Sequence, residues 1–202
     1  MLLFIIIAAL ALIFMMYVKY TYRRDNQSTE KFLERESLAN STRKQPLDDI
    51  SYITVPVDTL PFLEDASDEI AKYQQTIREL SDKKIANLSD MTNTDLKLKY
   101  GAANLPILTE YDNNYSLLTD TISKWGLALM ESGHEEEAVT VLEYGIKCNT
   151  DIRSNYLVLA DYYASKGDVR KIRTLRTRAL LLHTLIKDSI ISRLDDLLSG
   201  LS

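Results

Sequence analysis

The sequence predicts an all-α protein with a transmembrane helix at its N-terminus, followed by a domain of antiparallel helical hairpins. Three observations lead to this prediction. The first eighteen of the 202 residues contain no charged residue, no glycine and no proline. From residue 65 onward, apolar residues recur every three to four positions, which is the period of an amphipathic helix. Two glycines 34 positions apart, Gly133 and Gly167, each separate two apolar patterns of helix length.

The N-terminal apolar run has the length of a membrane span. Residues 1–18 would extend about 27 Å as a helix, close to the thickness of a bilayer's hydrocarbon core. A cleaved signal peptide is disfavoured because no Lys or Arg precedes the run and its one Ala-x-Ala motif lies in mid-run. A buried core helix is the other alternative, and the uninterrupted apolar character disfavours it. We therefore predict a single-pass anchor over residues 1–22.

The basic residues that follow the run give the anchor a direction. Residues 19–44 contain seven basic and four acidic residues, a net charge of +3. The positive-inside rule then places the C-terminal domain in the cytoplasm, at the cell membrane. The whole chain has a net charge of −5, so the remaining residues, 45–202, carry −8. This negative charge disfavours general binding to nucleic acid. The single cysteine, Cys148, cannot form an internal disulfide, in keeping with a reducing compartment.

Two polar or irregular segments precede the helical domain. Residues 23–46 are rich in charge and are predicted to be a polar linker, which could also extend the membrane helix by some turns. Residues 47–64 contain Pro56 and Pro61 among apolar residues. Proline removes a backbone donor, so this composition predicts an extended segment packed on the domain rather than a central strand.

Residues 65–118 are predicted to form the helical N-terminal part of the domain. A helix capped by Asp65 or Ser67 is followed by a short helix near residues 93–100. Pro106 fits the first turn of a long helix that Gly133 ends.

The spacing of the two glycines resembles the tetratricopeptide repeat (TPR), a helix–turn–helix unit of 34 residues. Two units, 119–152 and 153–186, place small residues or glycine where that family has them. In the first unit these are Gly126, Gly133, Ala138 and Gly145, and in the second Ala160, Gly167 and Ala179. Small residues at Gly126 and Ala138 would let paired helices approach closely.

The resemblance has departures. Leu129 replaces an aromatic residue of the family pattern, Ile172 replaces an alanine, and Thr150 replaces the proline that ends a unit. A generic helical bundle is the alternative. Residues 187–202 would form a capping helix on the stack. The run 93–115 also resembles an uncharacterised family of bacterial single-pass proteins, which implies no activity.

We find no pattern that indicates catalysis, a cofactor, a metal site or a small-molecule substrate. His134 precedes Glu135, Glu136 and Glu137, and acidic residues there are better explained by the dipole of a helix N-terminus. His183 lies among leucines and is expected to be a partly buried structural residue. Lys147 could lower the pKa of its neighbour Cys148, but no partner base is identifiable.

Two surfaces are candidates for partner binding. If the repeat register is right, the first helix of each unit lines a groove suited to an amphipathic helix or an extended peptide. Its positions would be Ser123, Leu127, Met130, Glu131, Ser154, Leu157, Asp161 and Ser165. The second helix of the second unit carries a basic patch. This patch is either a solvated face or a contact for an acidic partner or anionic lipid. It consists of Arg170, Lys171, Arg173, Arg176 and Arg178.

The order of anchor, linker and repeat domain predicts a membrane-anchored module for protein–protein interaction, without catalytic activity. The alternative is a structural subunit of a membrane-associated complex. The apolar run offers no Gly-x-x-x-Gly motif for specific helix association. The sequence does not identify the protein or peptide partner.

Overall fold

The computed structural model describes residues 1–201, except the side chains of residues 2–5, 7–9, 11 and 22–28. Within that part the protein is all-α, as predicted, with an isolated bridge between Tyr52 and Ala86 but no strand. Eight α-helices follow one another: α1 Leu2–Ser41, α2 Asp68–Ser81, α3 Asn93–Tyr100, α4 Leu105–Glu131, α5 Glu135–Lys147, α6 Arg153–Ser165, α7 Val169–Leu180 and α8 Lys187–Gly200. A 3-10 turn, Ala102–Asn104, joins α3 to α4.

The apolar N-terminal run lies within α1. Among the residues that the structure describes, no helix combines the length and the apolar character needed to cross a membrane. Residues 2–5, 7–9 and 11 of the run lie outside the described side chains, so the predicted anchor falls partly outside that finding. The described side chains of the run are exposed, and Phe14 has 66% of its surface accessible.

The chain forms two compact units, residues 1–48 with 91–106 and residues 49–90 with 107–202. The first unit contains α1, whose C-terminal half packs against α3. Part of the expected polar linker is therefore helical, since α1 continues to Ser41. Ala39 in this stretch is fully buried, which a composition rich in charge did not indicate.

Charged side chains connect α1 to α3 in the first unit. Arg35 forms an ion pair with Asp95. The Glu36 carboxylate accepts hydrogen bonds from the Lys97 ammonium and, at 2.7 Å, from the Thr94 hydroxyl. These contacts join positions about sixty residues apart in the sequence, so they depend on the tertiary arrangement.

The second unit begins with an irregular segment that lies along the domain, at the position expected for the extended residues 47–64. The Ile53 amide donates to the Ile85 carbonyl at 2.8 Å. Val55 and Leu60 are buried in the core. The chain then enters α2 at Ser67, one of the two predicted caps, whose hydroxyl accepts from the Ile70 amide at 3.3 Å.

Helices α4 and α5 form one pair joined by a short turn, α6 and α7 form a second pair, and α8 follows them. Gly133 lies between α4 and α5, and Gly167 lies between α6 and α7. Both have positive φ angles, 86° and 70°, which glycine adopts without the steric cost that a Cβ atom imposes. Helix α8 packs against both α6 and α7. This succession of packed hairpins is consistent with a helical repeat fold.

Close helix packing in the second unit depends on small residues and on two apolar clusters. A Cβ atom on Gly126 of α4 would lie 2.4 Å from Leu142 Cδ2 of α5, so any larger residue there would force Leu142 to move. The first cluster includes Trp125. The second includes Tyr156 and is formed by residues of the four helices α5, α6, α7 and α8. Side chains buried beside these two residues include Ile77, Leu118, Ile122 and Leu129 in the first cluster, and Leu142, Leu159, Ile172 and Leu194 in the second.

Candidate protein-binding surfaces

The first helices of successive hairpins lie side by side in the second unit. The hydroxyl oxygens of Ser123 on α4 and Ser154 on α6 are 2.9 Å apart. The Arg193 guanidinium of α8 pairs with the Asp161 carboxylate of α6 at 3.0 Å. Helices α4, α6 and α8 therefore form a row, which we call the first-helix row.

The eight positions predicted to line a groove have different environments on this row. Ser123 is 4% exposed and contacts Ser154, so it joins two helices and does not line an open groove. Asp161 is exposed but occupied by its ion pair with Arg193. The remaining positions are half-buried or exposed: Leu127, Met130, Glu131, Ser154, Leu157 and Ser165.

The sequence predicts that α8 is a capping helix and does not indicate that α8 contributes to the row. Besides its contact with α6, α8 binds α7, since the Arg176 guanidinium donates two hydrogen bonds to Asp195, at 2.5 and 3.1 Å. Opposite charges 19 and 32 positions apart give no local sequence signal. Only the packed structure shows that the row continues to α8.

The basic patch on α7 is partly neutralised. Lys171 pairs with Glu143 of α5, and Arg176 pairs with Asp195 of α8. Among the described residues, no carboxylate lies within ion-pair distance of the other three members of the patch. These three are exposed on α7: Arg170, Arg173 and Arg178.

A small cleft of about 170 Å³ lies between α5 and α7, and we call it the α5–α7 cleft. Its cationic lining consists of Lys147, Lys171 and Arg178. Its apolar lining consists of Ile146, Tyr163 and Leu175, each between 5% and 6% exposed. Lys147 was not among the predicted patch residues, because it comes from a different helix.

Glu143 is the single carboxylate of the α5–α7 cleft. Burial acts to raise its pKa, but hydrogen bonds from the Lys171 ammonium and the Tyr163 hydroxyl outweigh burial and hold the pKa below its usual range. Glu143 is therefore ionised, and its carboxylate already accepts hydrogen bonds from two side chains of the protein. Counting it, the cleft carries a net charge of +2.

A second cleft, the polar cleft, has a volume of about 520 Å³ and lies at the end of the domain that holds the α5–α6 and α7–α8 turns. Asp90, Asp112, Asp151, Arg178 and His183 contribute charged or titratable groups to its lining. In the part of the chain that the structure describes, no group of three or more His, Cys, Asp or Glu side chains could hold a metal ion.

The two histidines and the cysteine differ in exposure. His183 is exposed at the polar cleft, whereas we expected a partly buried residue. Its leucine neighbours do not cover it, because the α7–α8 turn leaves Leu181 and Leu185 exposed as well. His134 is exposed at the start of α5, before the first-turn acids Glu135, Glu136 and Glu137.

Cys148 is 5% exposed. Burial raises the pKa of its thiol to about 11, outweighing the opposing influences of Tyr144 and Lys147. The nearby lysine therefore does not activate this thiol.

Comparison with known proteins adds no family to this description. No family model matches the chain, and no curated protein or solved structure is significantly similar to it.

Proposed function

We propose that this chain is a membrane-anchored, non-catalytic module for binding a protein or peptide partner in the cytoplasm. In this proposal residues 1–22 form a single-pass anchor, and the second unit is a TPR-like domain. The observation that carries the proposal is the first-helix row, in which α4 and α6 of two consecutive hairpins lie beside each other and α8 lies beside α6.

Three features support the TPR-like interpretation. The turn glycines Gly133 and Gly167 are 34 residues apart and share a positive φ. Gly126, at the position where the family has a small residue, lies against Leu142 of the paired helix. Repeats of this kind bury their core by stacking, and α5 contributes to both apolar clusters of the second unit, with Val141 in the first and Leu142 in the second.

The anchor is supported by the sequence of residues 1–18 and by the basic residues that follow them. Full-length protein should remain in the membrane fraction after alkaline carbonate extraction. Protease added to intact cells should leave residues 45–202 uncut, while protease added to inverted membrane vesicles should cut them. Extraction by carbonate, or cleavage in intact cells, would contradict the anchor or its direction.

The binding role of the first-helix row can be tested by photo-crosslinking in cells. A photoreactive amino acid at Leu127 or Leu157, both half-buried on the row, should form an adduct with a discrete protein. The matched control carries the same group at Thr140, which is exposed on α5. Adducts with lipid alone, or the same products from Thr140, would show that the row is not the binding surface.

A further inference from the structure

Charge is segregated along the second unit. Residues 169–187 contain six basic residues and no acidic residue. The second unit, residues 49–90 and 107–202, carries −8, so the rest of that unit carries −14. A concentrated positive surface on an acidic protein favours partners of negative charge at that surface alone.

The cations nearest the α5–α7 cleft are not all used within the protein. Lys171 is bound to Glu143, whose other hydrogen bond comes from the Tyr163 hydroxyl. Lys147 and Arg178, from α5 and α7, both line the cleft and are exposed. Within the described residues, neither has a carboxylate at ion-pair distance.

The shape and lining of the cleft limit what can enter. A volume of about 170 Å³ holds one side chain but not a helix. Ile146, Tyr163 and Leu175 offer that side chain an apolar surface, while the two exposed cations stand beside it. An apolar side chain flanked by carboxylates matches both properties. A lipid headgroup supplies the anion but no apolar group at the same depth.

We infer that the α5–α7 cleft binds an acidic peptide segment, with one apolar side chain in the cleft and flanking carboxylates at Lys147 and Arg178. This inference deepens the proposed binding function by naming a partner class, at a surface other than the first-helix row. The carboxylates gain charge-assisted hydrogen bonds from two exposed cations that make no ion pair among the described residues.

The experiment measures peptide binding to the full-length chain in non-ionic detergent by fluorescence anisotropy. The probe is a fluorescein-labelled heptapeptide with a central leucine and three glutamates on each side. Saturable binding that weakens as salt is added is the expected result. The double variant Lys147→Gln/Arg178→Gln should weaken binding about tenfold, because it removes both exposed cations that would pair with the peptide carboxylates.

Two further variants separate the effect from altered folding or general charge. Thr174→Glu adds a carboxylate to the cleft lining while keeping both cations, and it should also weaken binding. The matched control Lys72→Gln/Lys83→Gln removes the same charge from exposed positions in and just after α2, and it should leave the affinity nearly unchanged. Thermal unfolding followed by circular dichroism checks that each variant is folded.

Several outcomes would overturn the inference. They are no binding at low salt, equal binding of a peptide with glutamines in place of the glutamates, and unchanged binding by a folded double variant. Phosphatidylglycerol vesicles that bind through Lys147 and Arg178 when the peptide does not would assign the surface to lipid instead. The assay uses neither membrane insertion nor the first-helix row, so its failure is distinguishable from failure of the proposed function.

Discussion

The two compact units of this chain differ in the balance of charged and apolar contacts between their helices. In the first, ion pairs and charge-assisted hydrogen bonds join α1 to α3, through Arg35, Glu36, Asp95 and Lys97. In the second, two apolar clusters fill the space between helices, around the fully buried Trp125 and Tyr156. Apolar packing responds most strongly to changes in side-chain volume, whereas ion pairs respond to pH, because their carboxylates become protonated in acid. This difference can be tested separately in each unit.

The largest effect is expected from Trp125→Ala in the second unit. Trp125 is 0% exposed, packs against Phe62 and lies at the centre of the first cluster. Removing the indole leaves a cavity, so we expect the free energy of unfolding to fall by about 3–5 kcal/mol. Chemical denaturation followed by far-ultraviolet circular dichroism measures this loss. Tryptophan fluorescence cannot be used for the variant, because Trp125 is the only tryptophan of the chain.

Trp125→Phe is the matched control for that prediction. It retains an aromatic ring and removes the indole N–H, which is buried without a hydrogen-bond partner among the described residues. We expect a smaller loss than for alanine. Equal losses for the two variants would mean that volume at this position does not govern the stability of the unit.

Gly126→Ala should have an intermediate effect on the second unit. The new Cβ atom would meet Leu142 Cδ2 at 2.4 Å and Cγ at 2.5 Å, and Leu142 is itself fully buried. Overpacking of this kind costs about 1–3 kcal/mol, and the helix propensity of alanine offsets roughly 1 kcal/mol of it. The control Gly200→Ala has no atom within 4 Å of its Cβ and should be neutral or slightly stabilising. Equal denaturation midpoints for the two variants would refute the close approach of α4 and α5.

The smallest effect, a loss of local stability in acid, is expected in the first unit. Hydrogen bonds from Thr92, followed by the nearby Arg35, lower the pKa of Asp95, and hydrogen bonds from Lys97 and Thr94 lower that of Glu36. A carboxyl whose pKa is lower in the folded state stabilises the fold above its unfolded pKa and loses that contribution as pH falls. The contacts between α1 and α3 should therefore weaken below about pH 4.

Hydrogen-exchange protection of the α3 amides, compared with that of the α6 amides, measures this acid effect. Protection should fall in α3 before it falls in α6, whose Tyr156 and Leu159 lie in the second apolar cluster. Glu36→Gln should remove part of the pH dependence, and the exposed Glu34→Gln is the matched control. A simultaneous loss in both helices would show that the two units do not differ in this respect.

Local features of the fold were predictable because they depend on neighbouring residues. A hydroxyl at Ser67 satisfies an amide at the start of α2, and glycine at 133 and 167 permits the positive φ of a short turn. Helical periodicity likewise indicated the all-α class. The packing of residues 29–41 on α3 was not predictable, since a charged helical face looks the same whether it meets water or the partner charges of a distant segment.

In the candidate surfaces, too, some features were predictable from neighbouring residues and others depend on residues far apart in the chain. Composition marked α7 as basic, but the structure decided that Lys171 and Arg176 have acidic partners and that Lys147 of α5 joins Arg178 at one cleft. The sequence by itself determined the helices, the 34-residue spacing and the charge of each segment, because backbone propensity and turn chemistry are local. Only the tertiary structure decided which faces meet, because contacts between helices depend on side-chain volume and charge at positions far apart in the chain.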